Sequence, residues 1–320
     1  MPAVSEERQP GPRGTGFALR DPWPWSTFAD LARDGEALGY SALFLPEIAG
    51  RDVFAALTGL AGETERISLG TGVVPISSRR SATIAMAAST VHERSGGRLV
   101  LGLGTGAPRR GALAALEAAV GEVRGAVDRA MASPPAGDGV LALGSPIPIW
   151  IAALGPKAVR LAGRIADGVL LNWCSPERVA QARDQLAEGA ADAGRDPTSI
   201  VVGAYVRAAI GEDVPTGAGE DVPAGAGEGV LTGPGGALAR AASGYAALPA
   251  YRRQFDAMGL TDADSIVSAV CLRGGSDRAR ERLAAYVDAG CDLPVVYPVP
   301  FGADPAGSVL RTLRALAPAV

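Results

Sequence analysis

Histidine occurs once in the 320 residues, at His92, and that scarcity removes several classes of site together. A Ser–His–Asp triad, a His-rich metal centre and a His–His proton relay all need more, or need it elsewhere. His92 itself stands late in the helical pattern "STVHERSGG", where a solvated or helix-ending role is the default. The three cysteines, Cys174, Cys271 and Cys291, lie far apart without metal-ligand or CxxC spacing, so buried free thiols are expected. Lysine also occurs once, at Lys157, against 29 arginines, and the formal net charge is −4. Neither nucleic acid nor an anionic membrane suits that balance as a main partner. No apolar run approaches the ~20 residues of a membrane helix. The opening "MPAVSEERQPGPRG" has no apolar signal-peptide core, so a cytoplasmic location is expected.

What the chain does have is alternation. Apolar runs at 15–19, 42–47, 67–74, 98–104, 148–154, 168–173, 199–210 and 293–299 alternate with helical patterns. Strands that read as continuous Val/Ile/Leu runs are buried on both faces, and repeated βα units of this kind call for a parallel sheet. Eight such units fit an α/β fold of the (β/α)8 TIM-barrel class with modest insertions, as one domain over 1–320. A doubly wound open sheet is the competing architecture, but its glycine fingerprint would follow the first strand. Here the glycine-rich stretch "GGRLVLGLGTGAPRRG" (96–111) falls on the fourth.

One segment breaks the rhythm. The octapeptides "GEDVPTGA", "GEDVPAGA" and "GEGVLTGP" repeat with decay over 211–234. They are too poor in large apolar side chains to offset their ordering entropy, so a flexible Gly/Pro-rich insertion at 211–236 is expected, as a solvated loop rather than a lid.

In a barrel the site lies at the C-terminal ends of the strands. Those ends are rich in glycine and poor in acids and bases: Glu47, "GTGVVP" (70–75), "GTGAPRR" (104–110), "ALGPK" (153–157), "NWC" (172–174) and "YPVPF" (297–301). Few proton-transfer groups beside close-approach backbone suit the host of a reactive cofactor. Leu154, Gly155, Pro156 and Lys157 join a strand to a helix and read equally well as a phosphate cradle or an ordinary Pro-initiated start. The aromatic helical pattern at 237–259, with Tyr245, Tyr251, Phe255 and Met258, reads first as core or subunit packing and second as a substrate-pocket wall.

The block "LGTGVVPISSRRSATIAMAASTVHERSGGRLVLGLGTG" (69–106) resembles the signature region of the luciferase-like monooxygenase superfamily. "LGYSALFLPEIAGRDVF" (38–54), "PIPIWIAALGPKAVRLAGRIADGVLLNW" (146–173) and "AAYVDAGCDLPVVYPVP" (284–300) match it in order, most closely the branch using the deazaflavin F420. The resemblance implies a bacterial-luciferase-like (β/α)8 barrel with its cofactor ring over the strand ends. It further implies a non-prolyl cis peptide at Gly72–Val73 behind the ring, and a phosphate cradle on Leu154, Gly155 and Pro156 beside Lys157. Thr105 and Gly106 would line the ring or tail, and Arg110 would meet the acidic tail. This chain departs from the family's sugar-phosphate dehydrogenases, with Glu47–Ile48 in place of an Asp–His pair and Ala107 in place of an acid. That activity therefore does not carry over. Glu47 and Tyr297 remain as the candidate catalytic groups, Glu47 alternatively as an anchor.

Three functions follow as expectations. The first is F420-dependent hydride transfer between reduced deazaflavin and a small organic substrate bearing an activated C=C, C=N or carbonyl/alcohol. The second is an FMN-dependent monooxygenase using reduced flavin and O₂. The third is a non-catalytic flavin-binding barrel. A reductase supplying reduced cofactor and a homodimer are the partners that the resemblance implies.

Overall fold

The computed structural model describes residues 11–20, 23–106, 109–133, 139–211 and 233–318. Ten strands form one parallel sheet: β1 (Gly16–Ala18), β2 (Ala42–Leu45), β3 (Ser68–Thr71), β4 (Val74–Pro75) and β5 (Leu99–Gly104), then β6 (Ile149–Ala152), β7 (Gly168–Asn172), β8 (Val201–Ile210), β9 (Leu272–Gly274) and β10 (Leu293–Pro298). Eight of them close a ring in the order β1–β2–β3–β5–β6–β7–β8–β10, because β10 pairs with both β8 and β1. The fold is therefore a TIM barrel, and each of the eight expected runs supplies its strand. The third run, 67–74, departs from expectation: it divides into β3 and β4 around a cis Gly72–Val73 peptide, and β4 pairs only with β5. β9, which the apolar pattern did not suggest, extends the end of β8 outside the ring.

Continuous apolar runs produce the expected two-sided burial: every residue of β5, β8 and β10 is buried. Inside the ring Phe44, Trp150, Leu170, Tyr205 and Tyr297 pack together with Val73. Trp150 fits because its neighbours are bare; a Cβ on Gly168 would fall 2.5 Å from its indole, and one on Gly203 2.9 Å. A tryptophan of this size removes ~150–250 Å² from water, or roughly 4–6 kcal/mol of apolar transfer at an upper bound.

The rim where the strands begin is fixed by satisfied carboxylates. Glu36 accepts from the backbone N–H groups of Glu65, Arg66 and Ile67, entering β3. Asp167 accepts from Ile149 N at 2.8 Å and from Arg124 at 3.0 Å. Asp292 accepts from Val202 N at 2.8 Å and pairs with Arg13 and Arg183. His92 belongs to this end as well, and is 2% exposed rather than solvated. Its Nε2 sits 2.9 Å from Ser145 Oγ, and burial lowers its pKa.

Above the opposite rim lies a third apolar cluster that includes Trp173, Phe255, Ile266 and Val267. Its helices are Pro234–Ala246, Pro249–Ala257 and Ala263–Val270. The single aromatic helix expected over 237–259 is two helices, because Pro249 occupies a first-turn position where its missing N–H costs nothing and starts a new helix. Of the expected insertion, 212–232 lies outside the described residues, while Pro234–Gly236 already belong to the first of these helices. Among the described residues no helix is long and apolar enough to cross a membrane.

Candidate active site

The strand ends converge on a mouth with two unlike sides. From β3 to β6 the wall is mostly backbone. Thr71 clamps β3 to β5, its hydroxyl donating to the Gly102 carbonyl and accepting from the Gly102 N–H, each at 2.8 Å. The chain then turns inward through Gly72 and Val73. A Cβ on Gly72 would lie 1.7 Å from the Tyr205 hydroxyl, and that hydroxyl donates to the Gly72 carbonyl at 3.1 Å. Gly104 meets Val73 and Gly106 meets Ser77 closely too, at 2.6 and 2.2 Å from a built Cβ. Gly106 has φ +71°, a conformation that favours glycine. Thr105 is half-buried beside it; Ala107 and Pro108 lie outside the described residues, and Arg110 is exposed just before the helix Ala112–Ala132.

Leu154, Gly155, Pro156 and Lys157 follow β6, and Gly155 is the N-cap of the helix Pro156–Ile165 with no side-chain cap. A Cβ on Gly155 meets nothing within 4 Å, so the cradle opens into free space. Beneath it Arg178, 9% exposed, donates from Nη2 to the Leu154 carbonyl at 3.1 Å, while its Nη1 is buried without a partner. Burial lowers the pKa of this guanidinium. A buried guanidinium with one unpartnered nitrogen, under an uncapped helix start, fits a bound anion, as a phosphate-bearing cofactor requires. Arg178 went unnoticed in the sequence because it falls three residues into an ordinary amphipathic helix.

From β7 to β10 the wall is side chain. Register pairs Asn172 with Tyr205 and Arg207 with Tyr297, so four polar groups from three strands become neighbours. Arg207 donates to Asn172 Oδ1 and, at 3.3 Å, to the Tyr245 hydroxyl. Asn172 Nδ2 donates to the Tyr251 hydroxyl at 2.8 Å. Gln254 ties the next helix down by donating to the Asn172 and Trp173 carbonyls. Tyr297 lines a cavity of about 450 Å³, together with Arg207, Tyr245, Leu45 and Val299. Burial raises its pKa, opposed by Arg207, so the phenol keeps its proton at neutral pH. Burial likewise pushes Tyr251 up to about 12.

Glu47 is positioned differently from Tyr297. Pro46 and Ile48 line the cavity, but the Glu47 carboxylate is held by Arg79 Nε at 2.9 and 3.2 Å and is not part of that lining. Arg79 also pairs with Asp52, which accepts from Ala55 N at 3.0 Å at the start of the helix Val53–Leu60. Burial opposes ionisation of Asp52, but the Ala55 N–H and Arg79 outweigh it and lower its pKa. The network ties the end of β2 to the loop after β4.

The chain matches the luciferase-like monooxygenase family over residues 7–113 and 110–293. It belongs to that family. Among the family's proteins, a 5,10-methylenetetrahydromethanopterin reductase from Methanolobus tindarius is 32% identical over 207 residues, 59% of this chain and 63% of that one. The chain thus spans less than two thirds of the length of that curated relative. In three dimensions, an F420-dependent secondary alcohol dehydrogenase bound to an F420–acetone adduct superposes with a TM-score of 0.73 at 15% identity. That superposition covers 95% of this chain and 99% of the dehydrogenase. An FMN-bound type II Baeyer–Villiger monooxygenase, the oxygenating constituent of 3,6-diketocamphane monooxygenase from Pseudomonas putida, superposes with a TM-score of 0.69 at 15% identity, covering 95% and 97%. At such identities the likeness is one of fold, and this family member shares its barrel with proteins of both cofactor types.

Proposed function

We propose that the protein is an F420-dependent oxidoreductase that transfers a hydride between reduced deazaflavin and a small organic substrate. The observation that carries this reading is the mouth itself: a side walled by close-packed glycines, facing a polar side around Tyr297. When bound, the deazaflavin would supply the hydride, and the chain's tasks are seating, orientation, exclusion of water and one proton delivery. Gly72 and Val73 would back the ring, Thr105 and Gly106 would line the ring or the tail, and Leu154, Gly155, Pro156 and Lys157, with Arg178 beneath, would hold the phosphate. Arg110 would meet the acidic tail. Tyr297, buried and protonated, would hold the proton at its hydroxyl; Glu47 would anchor the loops through Arg79.

The F420 reading is supported by the named cofactor of the dehydrogenase that superposes over 95% of the chain, and the FMN-bound neighbour keeps a flavin monooxygenase as the second reading. A separate reductase would supply reduced cofactor, and a homodimer is the expected assembly. Fluorescence-quenching titrations with F420 and with FMN test the assignment. F420 is expected to bind at least ~10-fold tighter, which is about 1.4 kcal/mol. Tighter FMN binding would transfer the protein to the monooxygenase reading, and association of neither would remove both.

A further inference from the structure

Arg207 is a buried charge without a counter-ion. Its side chain is 3% exposed, and among the described residues no carboxylate pairs with it. Its guanidinium instead lies over the rings of Tyr297 at 4.5 Å, Trp173 at 4.6 Å, Tyr245 at 5.1 Å and Tyr205 at 5.7 Å. Cation–π contacts and two neutral acceptors offset only part of the cost of taking such an ion out of water. A guanidinium has five N–H donors, and Asn172 and Tyr245 take two.

The cavity that Arg207 lines explains where the remainder can point. Its wall holds two further arginines, Arg20 and Arg51, and among the described residues no acid. Among the described residues the carboxylates that flank its lining, Glu47 and Asp52, are both engaged by Arg79. Apart from these arginines, the described walls of the chamber are apolar side chains, glycine and tyrosine, so Arg207 is the buried cation set deepest among them. One deeply set planar fork with apolar surroundings suits a monoanion carrying an apolar body, and the fork matches a carboxylate bidentately.

We propose that this cavity binds a small organic carboxylate, with Arg207 clasping its anionic end and Asn172 and Tyr245 fixing the plane of the guanidinium. The proposal rests on the oxidoreductase reading of the same mouth and narrows it, since the carboxylic acid becomes the substrate class. F420 carries anionic groups of its own, so cofactor and substrate are the two possible sources of the anion.

Calorimetric titration of the full chain without cofactor, using phenylacetate and its neutral isostere phenylacetamide, separates the outcomes. Wild type is expected to bind phenylacetate at least ~10-fold tighter. Arg207→Gln should erase that preference, and Arg207→Lys should keep part of it. Asn172→Asp places a carboxylate on the guanidinium with little change of shape, so it should erase the preference while the melting temperature holds. It decides the matter alone if Arg207→Gln fails to fold. Equal binding of the two probes to wild type, or a preference surviving both Arg207→Gln and Asn172→Asp, overturns the proposal. F420 affinity should change less than ~2-fold in Arg207→Gln. A 10-fold loss there would assign Arg207 to the cofactor and overturn the proposal as well. A phenylacetate preference without any F420 binding would leave the anion site standing and sink the cofactor reading, and F420 binding without the preference does the reverse.

Discussion

Between β3 and β6 the barrel mouth shows backbone, with Gly72, Gly102, Gly104 and Gly106 each too crowded for a Cβ. Between β7 and β10 it shows Arg207 held among Trp173, Tyr205, Tyr245 and Tyr297. The first side can approach a flat ligand closely and contributes almost no proton chemistry. The second holds charge and a phenolic proton but leaves only a small chamber. On the proposed function the difference teaches that one barrel divides the labour around its rim: the seat would be made of what was left out, and the selecting surface of what was put in.

Removing the Tyr297 hydroxyl tests the side-chain half most severely. Tyr297→Phe keeps the ring beneath Arg207, so unfolding free energy should move by less than about 0.5 kcal/mol. The single-turnover rate of bound reduced F420 with a carbonyl or enone acceptor should fall about 100-fold or more. A loss smaller than about threefold would place the proton elsewhere.

Filling the backbone half should cost stability instead. A Cβ at residue 102 would sit 2.1 Å from the Thr71 carbonyl oxygen, which backbone pairing holds in place. Gly102→Ala is expected to lower the unfolding free energy by about 3 kcal/mol in urea titration. A change within about 0.5 kcal/mol would show slack that the close contacts deny.

The proposed phosphate cradle predicts a smaller effect. Lys157 is exposed and adds charge to a helix start, so Lys157→Ala should weaken F420 binding about threefold at low salt, and less as salt screens it. No salt dependence would remove Lys157 from the cradle.

The smallest effect lies at the far end of the barrel, away from both halves. Burial lowers the pKa of His92 from 6.5, so the unfolded chain binds its proton first. Stability should be full above pH ~6.5 and decline as pH falls from there toward the folded-state value. His92→Asn should flatten that decline in unfolding curves taken between pH 8 and 5, and an identical slope would assign it to the carboxylates.

Much of the barrel was legible because its strands are unbroken apolar runs, and runs of that kind report two-sided burial directly. The glycine half was legible for the same reason: strand-end glycines interrupt the runs where a reader looks for a rim. Arg207 was hidden inside "SIVVGAYVRAAI", where one charge in an apolar strand carries no sign of what it faces. Its neighbours come from positions 172, 173, 205, 245 and 297, and only ring closure and register bring them together. The break at Pro249 was written in the chain, but the aromatic periodicity across it reads as one helix. β9 was missed because three residues carry too short a pattern to declare a strand.

Tyr205 stands where the two sides meet. Its hydroxyl props the Gly72 carbonyl, while its ring meets Tyr297 edge-on at 5.2 Å. One side chain thus serves as the party wall between two rooms, and neither can be remodelled without loading it. A redesign aimed at a bulkier guest on either side must first decide what will bear that load.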